Sequence, residues 1–318
     1  MKLRSVIQRK NLLITVLILS VFGSLAACGT QDYQKPVQQF QNASAVVISA
    51  TRDMLAHVNV VEQNGFIDQA VFERKSIDLP QIRQYELISA DEISVRTKAL
   101  DQLQAYASNL ASLAQGKDVS AISDQTNSLS KSLSTLSKEA SNLPVSKASF
   151  LKNAQFGNAL QVAAQGIGLV AEAIAQHKAR TELQKAIVDN QKPIDDFISL
   201  LSGELDGAYE RQKSTLSAQQ VYFSKAYEHE RAESHPDPNA LLSLGDRLKS
   251  YIQQRAALEA ADPAPSLKSM QGAHDALVKY AQSNHDPQSL HDLLSAAQAF
   301  VNEVQPFGQA LQTFLNSK

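Results

Sequence analysis

Residues 36–63 read PVQQFQNASAVVISATRDMLAHVNVVEQ, and this segment indicates the class of the fold. Its large apolar residues repeat every seven positions at Phe40, Val47, Met54 and Val61. That spacing puts them on one side of an α-helix, where they can pack against other helices. We expect the helix to end at Asn64-Gly65, since both residue types tolerate the left-handed backbone of a helix C-terminus.

Helical spacing continues through the rest of the chain, and the alternating β-branched runs typical of strands are scarce. Residues 66–87 are the least regular part, and their apolar content predicts a short helix followed by a packed crossover. Ser89 and Glu92 form a capping box for a helix that should end at Gly116. A further helix is expected over Asp118–Asn142.

Two long helices are predicted in the middle of the chain. The first follows Ser146 and extends to about Asn190. It would contain about 44 residues and be about 65 Å long, because an α-helix rises 1.5 Å per residue. Pro193 should break or kink the chain, because proline lacks the N–H group that a helix interior needs. The second long helix runs from Ile194 to about Arg231.

The dipeptide Asp-Pro occurs three times in the C-terminal third, at Asp237-Pro238, Asp262-Pro263 and Asp286-Pro287. Aspartate suits the N-cap of a helix and proline suits its first position, so three helices joined by tight turns are predicted. Short connections favour antiparallel neighbours. The sequence therefore predicts an all-α, elongated up-and-down bundle of seven or eight helices over residues 35–318. Two stacked bundles divided near 193 or 236 are the alternative.

The N-terminal segment has a different composition from the rest of the chain. Its cationic residues are Lys2, Arg4, Arg9 and Lys10. The apolar run Asn11–Phe22 that follows is shorter than the roughly 20 residues that span a bilayer. This order indicates a secretory signal peptide. An uncleaved N-terminal anchor with a buried cysteine is the alternative.

The apolar run is followed by Leu25-Ala26-Ala27-Cys28, which resembles the lipobox of bacterial lipoproteins. In that class the cysteine is lipidated on its sulfur, the signal is cut before it and the new amine is acylated. The resemblance implies a cleaved signal peptide over residues 1–27, a lipid anchor at Cys28 and a short tether over 28–34. Gly29 stands where an aspartate typically retains Gram-negative lipoproteins in the inner membrane. The resemblance therefore implies an outer-membrane anchor and a periplasmic domain in a Gram-negative host, and otherwise an extracytoplasmic membrane surface.

Composition and charge exclude several classes of protein. Of the 318 residues, 43% are hydrophobic, which is enough for a folded core. Lys and Arg number 30 against 32 Asp and Glu, and no basic block occurs, which argues against nucleic acid as a partner. A single cysteine excludes an internal disulfide framework and a zinc site with several cysteines. The expected membrane contact is the lipid at Cys28.

One candidate metal cluster consists of His229, Glu233 and His235. Imidazole and carboxylate groups are ligands for divalent metals, and residues four apart share a helix face. The spacing nevertheless differs from that of zinc proteases, so a solvated helix end is the alternative, and no metal cofactor is predicted. His177, near the apolar side of the first long helix, is interpreted as a core-edge histidine, with a pH switch as its alternative.

Small residues recur along one face of the first long helix at Gly157, Ala164 and Gly168. Each helical glycine costs about 1 kcal/mol relative to alanine, so these positions should serve a purpose. One interpretation is close packing against a neighbouring helix of the same chain. The other is a groove that holds a partner helix or an apolar ligand.

The sequence contains no recognisable catalytic motif. The carboxylate pairs Asp91-Glu92 and Asp195-Asp196 stand at predicted helix starts, where acids complement the helix dipole. We therefore predict a lipid-anchored, non-enzymatic scaffold or interaction protein, without a cofactor, that contacts another envelope protein. The alternatives are a periplasmic binding module for an apolar or metal ligand between helices, and a hydrolase whose acids and histidines converge only in the fold.

Overall fold

The computed structural model describes residues 31–114, 117, 119–174, 184–185, 187–283 and 286–317. In this part of the chain nine helices have defined bounds, and no strand occurs. The helices are α1 (Gln31–Phe72), α2 (Leu79–Gln84), α3 (Ala90–Ala114), α4 (Val119–Ser141), α5 (Asn153–Ile174), α6 (Gln191–Ala232), α7 (Pro238–Ala260), α8 (Ala264–Gln282) and α9 (Pro287–Asn316). The predicted all-α bundle is confirmed. The described residues form nine helices, counting the six-residue α2, where seven or eight were predicted.

Helix α1 is the central element of the bundle, since it packs against α3, α6, α8 and α9. Sequential neighbours also pack together, namely α3 with α4, α4 with α5, α6 with α7, and α8 with α9. One hydrophobic cluster contains buried side chains of every helix except α2. Its members come from before residue 193, from between 193 and 236, and from after 236 in the sequence. The division near those residues stays a prediction. Among the described residues, no helix is both long and apolar enough to cross a membrane.

Helix α1 continues past the predicted end at Asn64-Gly65 and reaches Phe72. Gly65 is buried, and a Cβ atom there would lie 2.7 Å from Nε2 of Gln219 in α6. The glycine therefore leaves room for the Gln219 side chain against α1, and the prediction that it ends the helix was wrong. The crossover predicted over 66–87 consists of the last residues of α1, a turn and the short α2.

Arg74, two residues after the end of α1, has a φ of 57°, in the left-handed region. Its N–H donates to the carbonyl of Val71 at 3.2 Å, and the N–H of Lys75 donates to the carbonyl of Ala70 at 2.9 Å. These two hydrogen bonds form a Schellman motif, in which glycine usually takes the left-handed position. An arginine there is strained, because its Cβ crowds the backbone.

Replacing Arg74 by glycine is expected to raise the free energy of unfolding by about 1 kcal/mol, because glycine adopts a positive φ without steric cost. Urea unfolding followed by circular dichroism measures the change. Arg74→Ala is the control and should have little effect, since alanine keeps the Cβ atom. Equal stabilisation by both substitutions would show that the backbone strain is not the cause.

Helix α6, at 42 residues, confirms one of the two predicted long central helices. It begins at Gln191, so Pro193 lies in the first turn, where its missing N–H interrupts no hydrogen bond of the helix interior. The second helix of this length is α1, which lies at the N-terminal side and not in the middle.

The other long helix, predicted to follow Ser146, begins later, at Asn153. Ser146 accepts a hydrogen bond from the Ala148 N–H at 3.1 Å within the preceding loop, so it does not cap α5. The loop is held because Ala148 and Leu151 are buried in a small apolar cluster. Helix α5 is described as far as Ile174, and residues 175–183, with His177 among them, lie outside the described part of the chain.

The predicted capping box at the start of α3 is confirmed. The Ser89 N–H donates to Oε2 of Glu92 at 2.8 Å, and the Glu92 N–H donates to Oγ of Ser89 at 3.3 Å. The helix is described to Ala114, and the predicted terminator Gly116 lies outside the described residues. Helix α4 lies within one residue of its predicted bounds at each end.

The three Asp-Pro signals mark the starts of α7, α8 and α9. Asp237 and Asp286 each accept a hydrogen bond at 2.9 Å from a backbone N–H inside the first turn. Asp262 accepts the Ala264 N–H at 2.9 Å, but α8 begins only at Ala264, so its proline is the N-cap and not the first helical residue. An aspartate side chain therefore accepts a backbone N–H at all three helix starts, although only Asp237 and Asp286 are N-caps.

A buried ion pair connects α3 to α6. The Arg96 side chain is fully buried, and its Nε and Nη2 atoms lie 2.7 and 2.6 Å from the two carboxylate oxygens of Glu204. Nη2 also donates to Oδ1 of Asn153 at 3.1 Å, and the guanidinium stands over the ring of Phe156 at 4.7 Å. Because both charges are paired and hydrogen-bonded, the core tolerates them.

Candidate binding site

A pocket of about 390 Å³ opens between α1, α7 and the C-terminal end of α9. Its wall is mainly polar, in contrast to the apolar core beside it. The polar residues are His57, Asn64 and Asp68 of α1, Arg247, Tyr251 and Gln254 of α7, and Ser317 beyond the end of α9. Within α1 and within α7 these residues are separated by three, four or seven positions, so each helix presents them on one face.

Asp68 lies in the interior of the pocket and Arg247 at its rim. The Asp68 side chain is 13% exposed, whereas that of Arg247 is 55% exposed, and Nη1 of Arg247 lies 3.3 Å from Oδ2 of Asp68. The Tyr251 hydroxyl donates to the same oxygen at 2.8 Å. Burial raises the pKa of Tyr251 above its ordinary value, and the hydrogen bond to Asp68 raises it further, so the phenol remains a neutral donor.

His57 lies on the same face of α1 as Asp68, about three turns nearer the N-terminus, and also lines the pocket. Its Nδ1 is 3.3 Å from Oε1 of Gln212, and its ring meets Phe314 edge to face with 4.9 Å between centroids. Burial lowers the pKa of His57 below its ordinary value, although the hydrogen bond with Gln212 partly opposes the shift. The imidazole is therefore neutral at neutral pH and adds no positive charge to the pocket.

The small-residue face of α5 lies against α4 of the same chain. Ser130 Oγ of α4 donates to the Ala164 carbonyl at 2.7 Å, and a Cβ at Gly168 would lie 3.0 Å from that same hydroxyl oxygen. A Cβ at Gly157 would lie 2.9 Å from the backbone oxygen of Ser137. The structure therefore places Gly157, Ala164 and Gly168 in a close contact between two helices of the same chain. Helix α4 occupies the space that a partner helix or an apolar ligand would need.

The candidate metal residues at the end of α6 are exposed and do not converge. His229 Nε2 is 3.5 Å from Oε1 of Glu233, with side chains 80% and 51% exposed. His235 Nδ1 instead lies 3.2 Å from Oγ of Ser234. In the described part of the chain, no group of three or more histidine, cysteine, aspartate or glutamate side chains is arranged to hold a metal ion.

Sequence reasoning missed a pair between Asp195 and the buried His274. Oδ1 of Asp195 is 2.8 Å from Nδ1 of His274, whose side chain is fully buried. Asp196 instead pairs with Lys192 one turn away at 2.7 Å. Because α6 begins at Gln191, earlier than predicted, neither aspartate lies in its first turn and the assignment of both to a helix start was wrong. Asp91 and Glu92 do lie in the first turn of α3.

Near this pair, the hydroxyl of Tyr106 is buried and has no hydrogen-bond partner among the described residues. The Tyr106 ring lies 6.5 Å from that of His274, measured between centroids. Burial raises the pKa of Tyr106 above its ordinary value, and the Asp195 charge adds to the effect. A desolvated hydroxyl without a partner destabilises the folded state.

Replacing Tyr106 by phenylalanine is therefore expected to raise the free energy of unfolding by about 1 kcal/mol. Tyr251→Phe provides the contrast, because the Tyr251 hydroxyl donates to Asp68. This substitution should lower the free energy of unfolding by about 1–3 kcal/mol. Urea unfolding of both variants measures the two effects. A loss of stability in Tyr106→Phe as large as that in Tyr251→Phe would show that the Tyr106 hydroxyl does have a partner.

No protein-family model, curated protein or solved structure matches this chain.

Proposed function

We propose that this protein is a lipid-anchored interaction protein of the bacterial cell envelope that acts by contact and not by catalysis. The observation that carries the proposal is Leu25-Ala26-Ala27-Cys28, preceded by the cationic and apolar segments of a signal peptide. Acyl chains on Cys28 would hold the protein at the membrane, since each buried CH₂ group contributes about 0.8 kcal/mol. In a Gram-negative host, Gly29 favours the outer membrane.

The position of α1 supports a domain held close to the lipid leaflet. Helix α1 begins at Gln31, three positions after Cys28, and it is the central helix of the bundle. A tether this short cannot extend far from the membrane, since one residue spans at most about 3.6 Å. The lipid would then be attached almost directly to the core of the domain.

Exposed apolar side chains support a role in contact with another envelope protein. Five large ones follow one another at the far end of α1 and around α2, namely Val71, Phe72, Ile77, Leu79 and Tyr85. Leu79 is 70% exposed and Val71 62%. Concentrated apolar exposure is typical of surfaces that contact other molecules.

Labelling with a palmitate analogue during growth tests the lipid anchor. The wild-type precursor should yield a labelled, membrane-bound protein, whereas Cys28→Ala should accumulate without label. Ser24→Ala is the control and should be labelled like the wild type, since it leaves the cysteine in place. An unlabelled wild-type protein, or equal labelling of Cys28→Ala, would overturn the proposal.

The alternative functions receive less support from the geometry. A groove for an apolar ligand at Gly157 is not favoured, because α4 packs against that face. A metal site at His229 is not favoured, because its candidate ligands do not converge among the described residues. A hydrolase would need an acid and a histidine that substrate can reach. In the pair Asp195–His274, which joins two helices, the His274 side chain is fully buried.

A further inference from the structure

We infer that the pocket between α1, α7 and the end of α9 binds a small solute carrying both an ammonium and a carboxylate group, as a free amino acid does. The inference goes beyond the lipid anchor and the proposed contact role, since every residue that carries it belongs to the folded domain. It depends on where the pocket places its negative and positive charges.

The interior of the pocket favours a positive group. The Asp68 carboxylate is 13% exposed and receives the Tyr251 hydroxyl on Oδ2, the oxygen that also faces Arg247. The 30-residue helix α9 ends at the pocket, and a helix C-terminus carries partial negative charge on its last carbonyls. His57 adds no opposing charge, because burial lowers its pKa and keeps the imidazole neutral. An ammonium group is the ligand group that suits these surroundings.

The rim of the pocket favours a carboxylate. The Arg247 guanidinium is 55% exposed and touches Asp68 through Nη1 at 3.3 Å. A planar guanidinium presents several N–H donors and binds carboxylates with two parallel hydrogen bonds. Arg247 is mostly exposed, and Asp68 keeps the hydrogen bond from Tyr251 when the arginine moves, so Arg247 can turn towards a ligand. Because Asp68 and Arg247 are neighbours, the two ligand charges must also lie close together, as they do on one α-carbon.

The remaining wall fits a small polar molecule of this class. Asn64, Gln254 and Ser317 offer neutral donors and acceptors, while Val61 and Leu315 provide apolar surface for a side chain. The volume of about 390 Å³ falls within the range of about 300–1,000 Å³ usual for small-ligand sites. The pocket therefore has room for a short side chain beside the two charged groups.

Calorimetric titration of the full-length protein in detergent tests the inference with three probes. L-Alanine carries both charges, ethylamine only the ammonium and propionate only the carboxylate. We expect saturable binding of alanine, binding of ethylamine that is weaker by about tenfold, which is about 1.4 kcal/mol, and still weaker binding of propionate. If propionate bound with the same affinity as alanine, the assignment of the pocket interior to an ammonium group would be overturned.

Substitutions in the wall separate the two charges. Asp68→Asn keeps an acceptor for Tyr251 but should weaken alanine binding at least tenfold. Arg247→Gln should reduce alanine binding to the level of ethylamine and leave ethylamine binding unchanged. The control is Arg255→Gln, on the same helix but outside the pocket wall, where the arginine pairs with Glu259 at 2.9 Å; it should not change binding.

Asn64→Leu provides a second route that does not depend on the buried carboxylate. Asn64 is exposed, so the fold should tolerate leucine, which removes a polar group and narrows the opening. Alanine binding should fall while thermal unfolding stays within a few degrees of the wild type. Absence of saturable alanine binding by the folded wild type, or unchanged binding in both Asp68→Asn and Asn64→Leu, would overturn the inference.

Discussion

Replacing Arg96 by methionine is expected to lower the free energy of unfolding by about 3–5 kcal/mol. The guanidinium is fully buried and holds both oxygens of Glu204, at 2.6 and 2.7 Å. Without the guanidinium, the Glu204 carboxylate would remain in the core without an opposite charge in contact. The backbone N–H of Lys152, which donates to Oε1 at 3.2 Å, is a neutral donor. The carboxylate must then stay charged without a counter-ion or bind a proton, and both cost free energy.

Two further variants separate the buried pair from a general effect of losing an arginine. Arg96→Met combined with Glu204→Leu should recover most of the loss, because it removes the stranded charge as well. Arg52→Met is the matched control, since Arg52 pairs with Asp101 at 2.6 Å on the surface, and it should cost less than about 1 kcal/mol. Urea unfolding at neutral pH measures all three. A double variant as unstable as Arg96→Met alone would contradict this explanation.

Alanine at Gly157 is expected to lower the free energy of unfolding by about 1–3 kcal/mol, although alanine is the better helix former. Its Cβ would lie 2.3 Å from Oγ of Ser141 and 2.9 Å from the backbone oxygen of Ser137. A serine hydroxyl can rotate away, but the backbone of α4 can yield only if the two helices move apart. Closely packed interiors resist such a movement.

The same substitution at Gly272 should have the opposite sign. Gly272 is exposed in α8, and nothing lies within 4 Å of a Cβ atom built there. Alanine should therefore raise the free energy of unfolding by about 1 kcal/mol through helix propensity alone. Thermal unfolding of the two variants side by side is sufficient. Stabilisation by alanine at both positions would show that α4 and α5 are not in close contact at Gly157.

Local signals in the sequence predicted the helices and most of their starts. The capping box at Ser89 and the aspartates before α7 and α9 act through neighbours two or three residues away, so the sequence alone contains the whole interaction. Asn64-Gly65 gave an equally clear local signal for a helix end, yet α1 continues. Gly65 instead leaves room for the side chain of Gln219 in α6, a contact far along the chain that no local signal specifies.

The candidate binding site could be predicted only in part. The spacing of His57, Asn64 and Asp68 already places them on one face of a helix, and the same holds for Arg247 and Tyr251. Their meeting depends on how α1, α7 and α9 pack, which no local pattern specifies. The Asp195–His274 pair was missed for the same reason, because its two residues lie on α6 and α8.

The most direct test of the proposed function is the intact mass of the full-length gene product extracted from membranes. The proposal predicts a polypeptide that begins at Cys28 and carries the additional mass of fatty acyl chains. A mass that includes residues 1–27, with an unmodified cysteine thiol, would contradict the lipid anchor and with it the proposed place of this protein in the bacterial cell envelope.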